Sequence, residues 1–248
     1  MEEISYPRVL YKYLDAEGGS AMIETEQLWL TRAVNLNDPY DCYHTEPFKA
    51  DYPEFSVELD YNEIFRTVGV CSLTDDPLNF LMWSYYNGHA GICVGIDMEL
   101  VISKLVGYHE TVQRYVPLKK VHYQNEPPKI DPYVIMPKNY LEVQNDVAHL
   151  EQAQNAIDGF LSTKASWWEH EHEYRLILRE GKYFPEDLHE PAKVRLGNLI
   201  NSVYVGCKYA GDIETIIQIA RKRKFNVYRL ELKKDVFGLK PEELYVHP

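Results

Sequence analysis

Short apolar runs, rich in β-branched and aromatic residues and closed off by turn residues, constrain this chain more than any other feature. Val68–Thr74 stops at Asp75-Asp76-Pro77, and Ile92–Ile96 follows Gly88-His89-Ala90-Gly91. Arg8–Tyr13, Gln27–Thr31, Trp167–Leu178, Val203–Gly206 and Asn226–Leu232 read the same way. Such runs form strands, because branched and aromatic side chains fit a pleated surface and Gly, Pro, Asn and Asp end it. Asp15–Ser20 and Asn35–Asp41 read as turns; Pro39 disfavours helix at Asp38.

Helical spacing is confined to fewer stretches. Leu78–Tyr86 places Phe80, Leu81, Trp83 and Tyr86 inward; Leu141–Leu161 is the longest pattern, and Asp212–Lys224 is the third. Ile92–Ile96 is expected to pair with Val121–Tyr123, and the four prolines in 124–138 suggest a long loop. Strands outnumber helices, which predicts an α+β fold with a mixed or mostly antiparallel sheet flanked by helices. No Pro/Gly/Ser-rich linker or internal repeat divides the 248 residues, so a single domain over 1–248 is expected.

The formal charge is −12, which argues against a duplex nucleic acid partner; Arg221–Lys224 reads as a helix end whose cations complement the dipole. The four cysteines, Cys42, Cys71, Cys93 and Cys207, form no Cys-x-x-Cys pair. With no charged-then-apolar leader and no membrane-length apolar run, the expected setting is the cytoplasm, without a membrane partner.

The chemistry concentrates in Trp167-Trp168-Glu169-His170-Glu171-His172-Glu173-Tyr174-Arg175. On a strand, alternation puts Glu169, Glu171, Glu173 and Arg175 on one face and the histidines on the other. Crowded carboxylates raise one another's pKa unless a cation relieves them, a cost that favours a functional site. Three readings compete: a metal cluster, a salt-bridged edge strand, and a catalytic Glu-x-Glu pair. A second constellation, Leu81–Gly91, carries Trp83, Tyr86 and a glycine-bracketed His89, and suits a pocket wall or a helix end packed into the core. The third, Asn37-Asp38-Pro39-Tyr40-Asp41, suits a rigid turn.

Taken in order, these pieces resemble a bacterial family known as domain of unknown function 2971. The residues that carry the resemblance begin with Leu10-Tyr11-Lys12-Tyr13, Asn37-Asp38-Pro39-Tyr40-Asp41-Cys42 and Val70-Cys71-Ser72-Leu73-Thr74. Leu81–Tyr86 with His89-x-Gly91, Lys164-x-x-x-Trp168-x-x-Glu171-x-Glu173-Tyr174-Arg175-Leu176 and Val203-Tyr204-x-Gly206 complete the set. The chain departs from the family's Trp-Ser-His-Tyr by carrying Tyr85.

A remoter similarity is to mono-ADP-ribosyltransferases, which read a basic residue on an early strand, a Ser-x-Ser-like strand, then Glu-x-Glu. Lys12 (or Arg8), Ser72-x-Thr74 and Glu171-x-Glu173 fall in that order. The resemblance implies NAD as substrate and an ADP-ribosyltransferase or NAD glycohydrolase, of the kind that serves as a toxin or anti-phage defence effector. It implies Glu173, Glu171 and His89 as catalytic, and Lys12, Tyr13, Asn37, Asp38, Ser72, Trp83, Tyr86 and Arg175 as cofactor-binding. A macromolecular acceptor would be the second partner. Two alternatives stand beside it: a non-catalytic nucleotide- or protein-binding module with a Tyr/Trp-rich cleft, and a metal-dependent hydrolase using His170, His172 and His89.

Overall fold

The apolar runs assemble into one large twisted sheet in a computed structural model that describes residues 6–42, 48–51, 56–59, 65–106, 118–129, 131–135, 137, 139, 146–179, 190–195 and 197–248. In chain order come β1 (Val9–Leu14), α1 (Ala16–Thr25), β2 (Gln27–Arg32), β3 (Phe48–Asp51), β4 (Ser56–Leu59) and β5 (Val68–Thr74). Next are α2 (Phe80–Tyr85), β6 (Ile92–Asp97), α3 (Met98–Val106), β7 (Leu118–Lys120), β8 (His122–Gln124), α4 (Pro132–Ile135) and α5 (Val147–Leu161). The chain ends with β9 (Thr163–Ala165), β10 (Glu173–Arg179), β11 (Ala192–Arg195), β12 (Ile200–Val205), α6 (Ile213–Arg223), β13 (Asn226–Leu232) and β14 (Leu239–Tyr245).

The main sheet runs β11-β2-β5-β1-β6-β12-β13-β14, with β10 paired to β5 and β7 to β10. Among the described residues only β12–β13 within it is parallel; β3–β4 forms a separate hairpin, and β8–β9 a separate parallel pair. This is the mixed, mostly antiparallel α+β architecture that the sequence predicts. On one face Leu10, Val94, Leu176 and Val203 pack against Met22, Ile23 and Met98, and against Ile216 and Ala220 of α6. On the other face Val68, Val70 and Ile177 meet Ile157, Phe160 and Leu161 of α5, while Tyr13 and Cys93 meet Met82 and Trp83 of α2.

Four local expectations need correction. Asp15–Ser20 is not a turn but the start of α1: Asp15 caps it, accepting from the Gly18 amide at 2.6 Å. Gly19 sits there because a Cβ would stand 2.5 Å from Ile92 Cβ, so the helix rests directly on β6. In α2, Met82 and Trp83 point inward, whereas Phe80 and Leu81 are exposed. Strand β6 pairs with β1 and β12, not with Val121–Tyr123. Trp167–Leu178 is not one strand, since Ser166–Glu171 forms a 3-10 turn and β10 begins only at Glu173. Within Leu141–Leu161, residues 141–145 lie outside the described ones.

The four cysteines are free thiols, three of them buried. The basic run is the end of α6, and Arg223 donates to the carbonyls of Ile23 and Glu24 at the C-terminus of α1. No helix among the described residues is long and apolar enough to cross a membrane.

Candidate functional site: a buried carboxylate–lysine cluster

Strand β10 is buried along almost its whole length, antiparallel to β5 from Glu173↔Thr74 to Arg179↔Val68. Alternation therefore governs it from Glu173 onward. Tyr174, Leu176 and Leu178 enter the main core, and Ile177 joins the α5 side, the face that Glu173 and Arg175 share with it by strand parity. Both arginines of this strand hold α5 in place. Arg175 Nη1 donates to the Leu161 carbonyl at the end of α5 (2.8 Å), and Arg179 Nη2 donates to Asp158 within it (3.1 Å).

Arg175 is fully buried and spends its guanidinium on fixed partners: Nε donates to Glu173 Oε1 at 2.9 Å, and Nη2 to Asp41 Oδ1 at 2.8 Å. A planar fork with several donors fits two carboxylates and a helix carbonyl at once, which a lysine would not. Lys164 follows α5 on β9, and its Nζ donates to Glu171 Oε2 at 2.6 Å and to Glu173 Oε2 at 3.2 Å. Asp41 Oδ2 lies 3.9 Å away, and the ammonium also sits 4.9 Å from the centre of the Trp168 ring.

Glu171 reaches this cluster by an unexpected route. His172 adopts a left-handed conformation (φ 47°), joining the 3-10 turn to the strand. Glu171 and Glu173 thereby converge on one ammonium without sharing a strand face. The backbone around them is anchored: the Glu173 amide donates to the Tyr123 hydroxyl at 2.8 Å, and the Val121 amide donates to the Glu173 carbonyl.

Asp41, Glu171, Glu173, Lys164 and Arg175 are each no more than 9 % exposed. Charges so far from water persist only when paired, and here the carboxylates exceed the cations by one. The two glutamates respond oppositely. Burial pushes Glu173 up, but Arg175 and Lys164, with hydrogen bonds from Arg175 and Ser72, more than offset it and hold it at about 2. For Glu171 burial wins over the attraction of Lys164, and neighbouring Glu173 adds to the rise. Burial likewise raises Asp41 despite Arg175 and Lys164. Carboxylates whose surroundings drive their pKa values apart in this way occur in acid–base sites as well as in structural ion-pair networks.

A small cleft of about 50 Å³ opens onto the cluster, its walls including Lys12, Ser72, Asn37, Tyr13, Tyr86 and Met82. Strand β5 pairs with β2 at Gly69 and Val70 and with β1 at Thr74, and Lys12 Nζ donates to the intervening Ser72 carbonyl at 3.1 Å. Tyr13 is fixed by its hydroxyl, which donates to the Asp76 carbonyl at 2.9 Å, and by an edge-on contact with Trp83. Burial pushes the Tyr86 phenol up to about 12, with the Glu171 charge adding to it.

Among the residues singled out in the sequence, Glu171, Glu173, Lys12, Tyr13, Asn37, Ser72 and Tyr86 thus line one cleft. Four do not. Arg175 is fully buried, does not line the cleft, and positions Glu173. Trp83 is core, its indole N–H donating to the Pro77 carbonyl. Asp38 closes its own turn by accepting from the Tyr40 amide. His89, in a left-handed conformation (φ 67°), has Nε2 3.0 Å from Ser84 Oγ and packs on Phe80. His170 and His172 lie near the Trp167 carbonyl and Asp75. No group of His, Cys, Asp and Glu suited to a metal ion occurs among the described residues.

Sequence reasoning missed Lys164, Asp41 and Tyr123. Lys164 and Asp41 stood within quoted motifs, but only the fold reveals that they face Glu173. A larger cavity of about 510 Å³ shares Lys164 as a lining residue with the cleft.

The model of the family described as protein of unknown function (DUF2971) matches residues 82–176, a stretch holding Lys164, Glu171, Glu173 and Arg175. The resemblance read in the sequence therefore holds over the segment that supplies most of the buried cluster. No curated protein and no solved structure matches the chain.

Proposed function

We propose that this cleft cleaves the nicotinamide–ribose bond of NAD, passing ADP-ribose to a macromolecular acceptor or to water. The observation that carries this reading is the meeting of Lys12, Ser72 and Glu173, from three strands, in one cleft beside Glu171. In the reaction the C1′–N bond breaks, its electron pair leaves with neutral nicotinamide, and positive charge develops on the ribose ring. Glu173, ionised down to a pH of about 2, supplies a fixed negative charge against that developing cation. Glu171, whose pKa is raised, takes the proton from the attacking hydroxyl or water as the new C1′–O bond forms. Lys164 bridges the two carboxylates, and Lys12 provides positive charge for the pyrophosphate.

The test is nicotinamide release from NAD by purified protein, with and without a cell extract as source of acceptors. Glu173→Gln is expected to lower release by about 10²-fold or more, the scale of losing one preorganised charge contact, while circular dichroism stays unchanged. A folded Glu173→Gln protein that releases nicotinamide at the parent rate would refute the assignment.

A second reading has its own support. Glu173 is already engaged by Arg175, Lys164 and Ser72, and the cleft is small, as expected of a closed ion cluster supporting a nucleotide-binding module. That reading predicts NAD binding without product, and unchanged binding in Glu171→Gln.

A further inference from the structure

The cavity of about 510 Å³ has no role in the chemistry above, yet it is of the size that encloses a nucleotide-sized ligand. It borders the reactive cleft directly, because Lys164 forms a wall of both. Its lining is predominantly apolar and planar: Trp167 stands at it 84 % exposed, Tyr40 58 % exposed, and Pro127 and Pro128 add flat aliphatic surface. A tryptophan so exposed beside a concave space offers a stacking face to a ring.

The polar groups of this cavity suit a base rather than a phosphate. Among the described residues Lys164 is its one cationic lining residue, and that charge is committed to Glu171 and Glu173. Asn125 and Glu126 instead bring an amide and a carboxylate to the same wall, beside Gln124, whose Nε2 donates to the Glu126 carbonyl and leaves its amide oxygen as an acceptor. Ser166 donates to Asn125 Oδ1, which fixes the Asn125 side chain at the cavity. Amide donors with neighbouring amide and carboxylate acceptors match the ring nitrogens and exocyclic amine of adenine, the pairing by which Asn and Gln recognise that base.

We infer that this cavity seats the adenine base of the dinucleotide, stacked on Trp167 and bonded by Asn125, with the scissile end across Lys164. The inference rests on the NAD reading for its ligand but on separate residues for its site. Adenosine monophosphate, which lacks the scissile bond, is therefore the probe, with titration calorimetry as the readout. Binding is expected to the parent protein and to Glu173→Gln alike, and to weaken about tenfold or more in Trp167→Ala and in Asn125→Ala. Guanosine monophosphate is expected to bind more weakly than the adenine nucleotide. Failure of the parent protein to bind adenosine monophosphate overturns the inference, as does equal affinity in both cavity variants. Binding that follows the expected pattern without nicotinamide release sustains the adenine site and overturns the catalytic reading alone. Trp167 is exposed and Asn125 is at the surface, so both variants should fold, and thermal melts verify this.

Discussion

Glu173 and Glu171 illustrate how two identical side chains, separated by one residue, acquire opposite electrostatic surroundings. Glu173 has a native pKa of about 2 against an ordinary 4.5, so its ionisation favours the folded state above pH 4.5 and loses that contribution as pH falls towards 2. The difference corresponds to about 3 kcal/mol. Acid titration of the folding free energy should show this limb, and Glu173→Gln should flatten it. Glu171 has the opposite sign: its raised pKa means ionisation opposes the folded state as pH rises beyond 4.5. If Glu171 is the base of the proposed NAD cleavage, its raised pKa gives nicotinamide release by the parent protein a rising limb that begins above the ordinary glutamate range, and a parent pH–rate profile without such a limb would contradict that role. Arg175 is predicted to matter for stability first. Its loss in Arg175→Leu leaves Glu173 and Asp41 short of a buried cation, and urea unfolding should show a loss of about 3–5 kcal/mol.

At the scale of elements, the site depends on a junction rather than on a regular strand. His172 turns the chain through the left-handed region, and only this break lets Glu171 and Glu173 meet at Lys164. Glycine tolerates that conformation and a β-branched residue does not, so His172→Gly should keep the parent stability within about 1 kcal/mol while His172→Val loses about 1–3 kcal/mol. Guanidinium titrations of the two variants distinguish these outcomes. Alternation of residue types along Trp167–Leu178 hid this junction. The period-two pattern was genuine from Glu173 onward, but nothing in the residue types before it betrays a 3-10 turn. Helix α1 was obscured for a related reason: Gly18 and Gly19 read as turn residues, although Gly19 is needed for close packing on Ile92. Strands with strong apolar patterns, β5, β6 and β13, were legible to within a residue at their ends, while β12 was read as starting at Val203, three residues after its true start at Ile200. Strand β14 was not, because an exposed edge carrying Lys240, Pro241, Glu242 and Glu243 bears no apolar signature.

Across the whole molecule, buried charge gathers where distant segments cross on the α5 side of one sheet. Asp41 comes from the turn after β2, Lys164 from the strand after α5, Ser72 from β5, and Glu173 and Arg175 from β10. The sequence therefore displayed the glutamates, which flank a single histidine, and Arg175 two residues beyond, but not that Lys164 faces them. Contacts this long in range make the cluster part of the global fold. Far-ultraviolet dichroism and tryptophan fluorescence should accordingly report one coincident unfolding transition, and two separated transitions would contradict a single cooperative unit. The most direct test of the central claim, that Glu171 and Glu173 form a bond-cleaving pair, is nicotinamide release from NAD. The account predicts release by the parent protein, with or without added acceptor extract, and its loss in folded Glu171→Gln and Glu173→Gln; no release by the parent protein under either condition would contradict it.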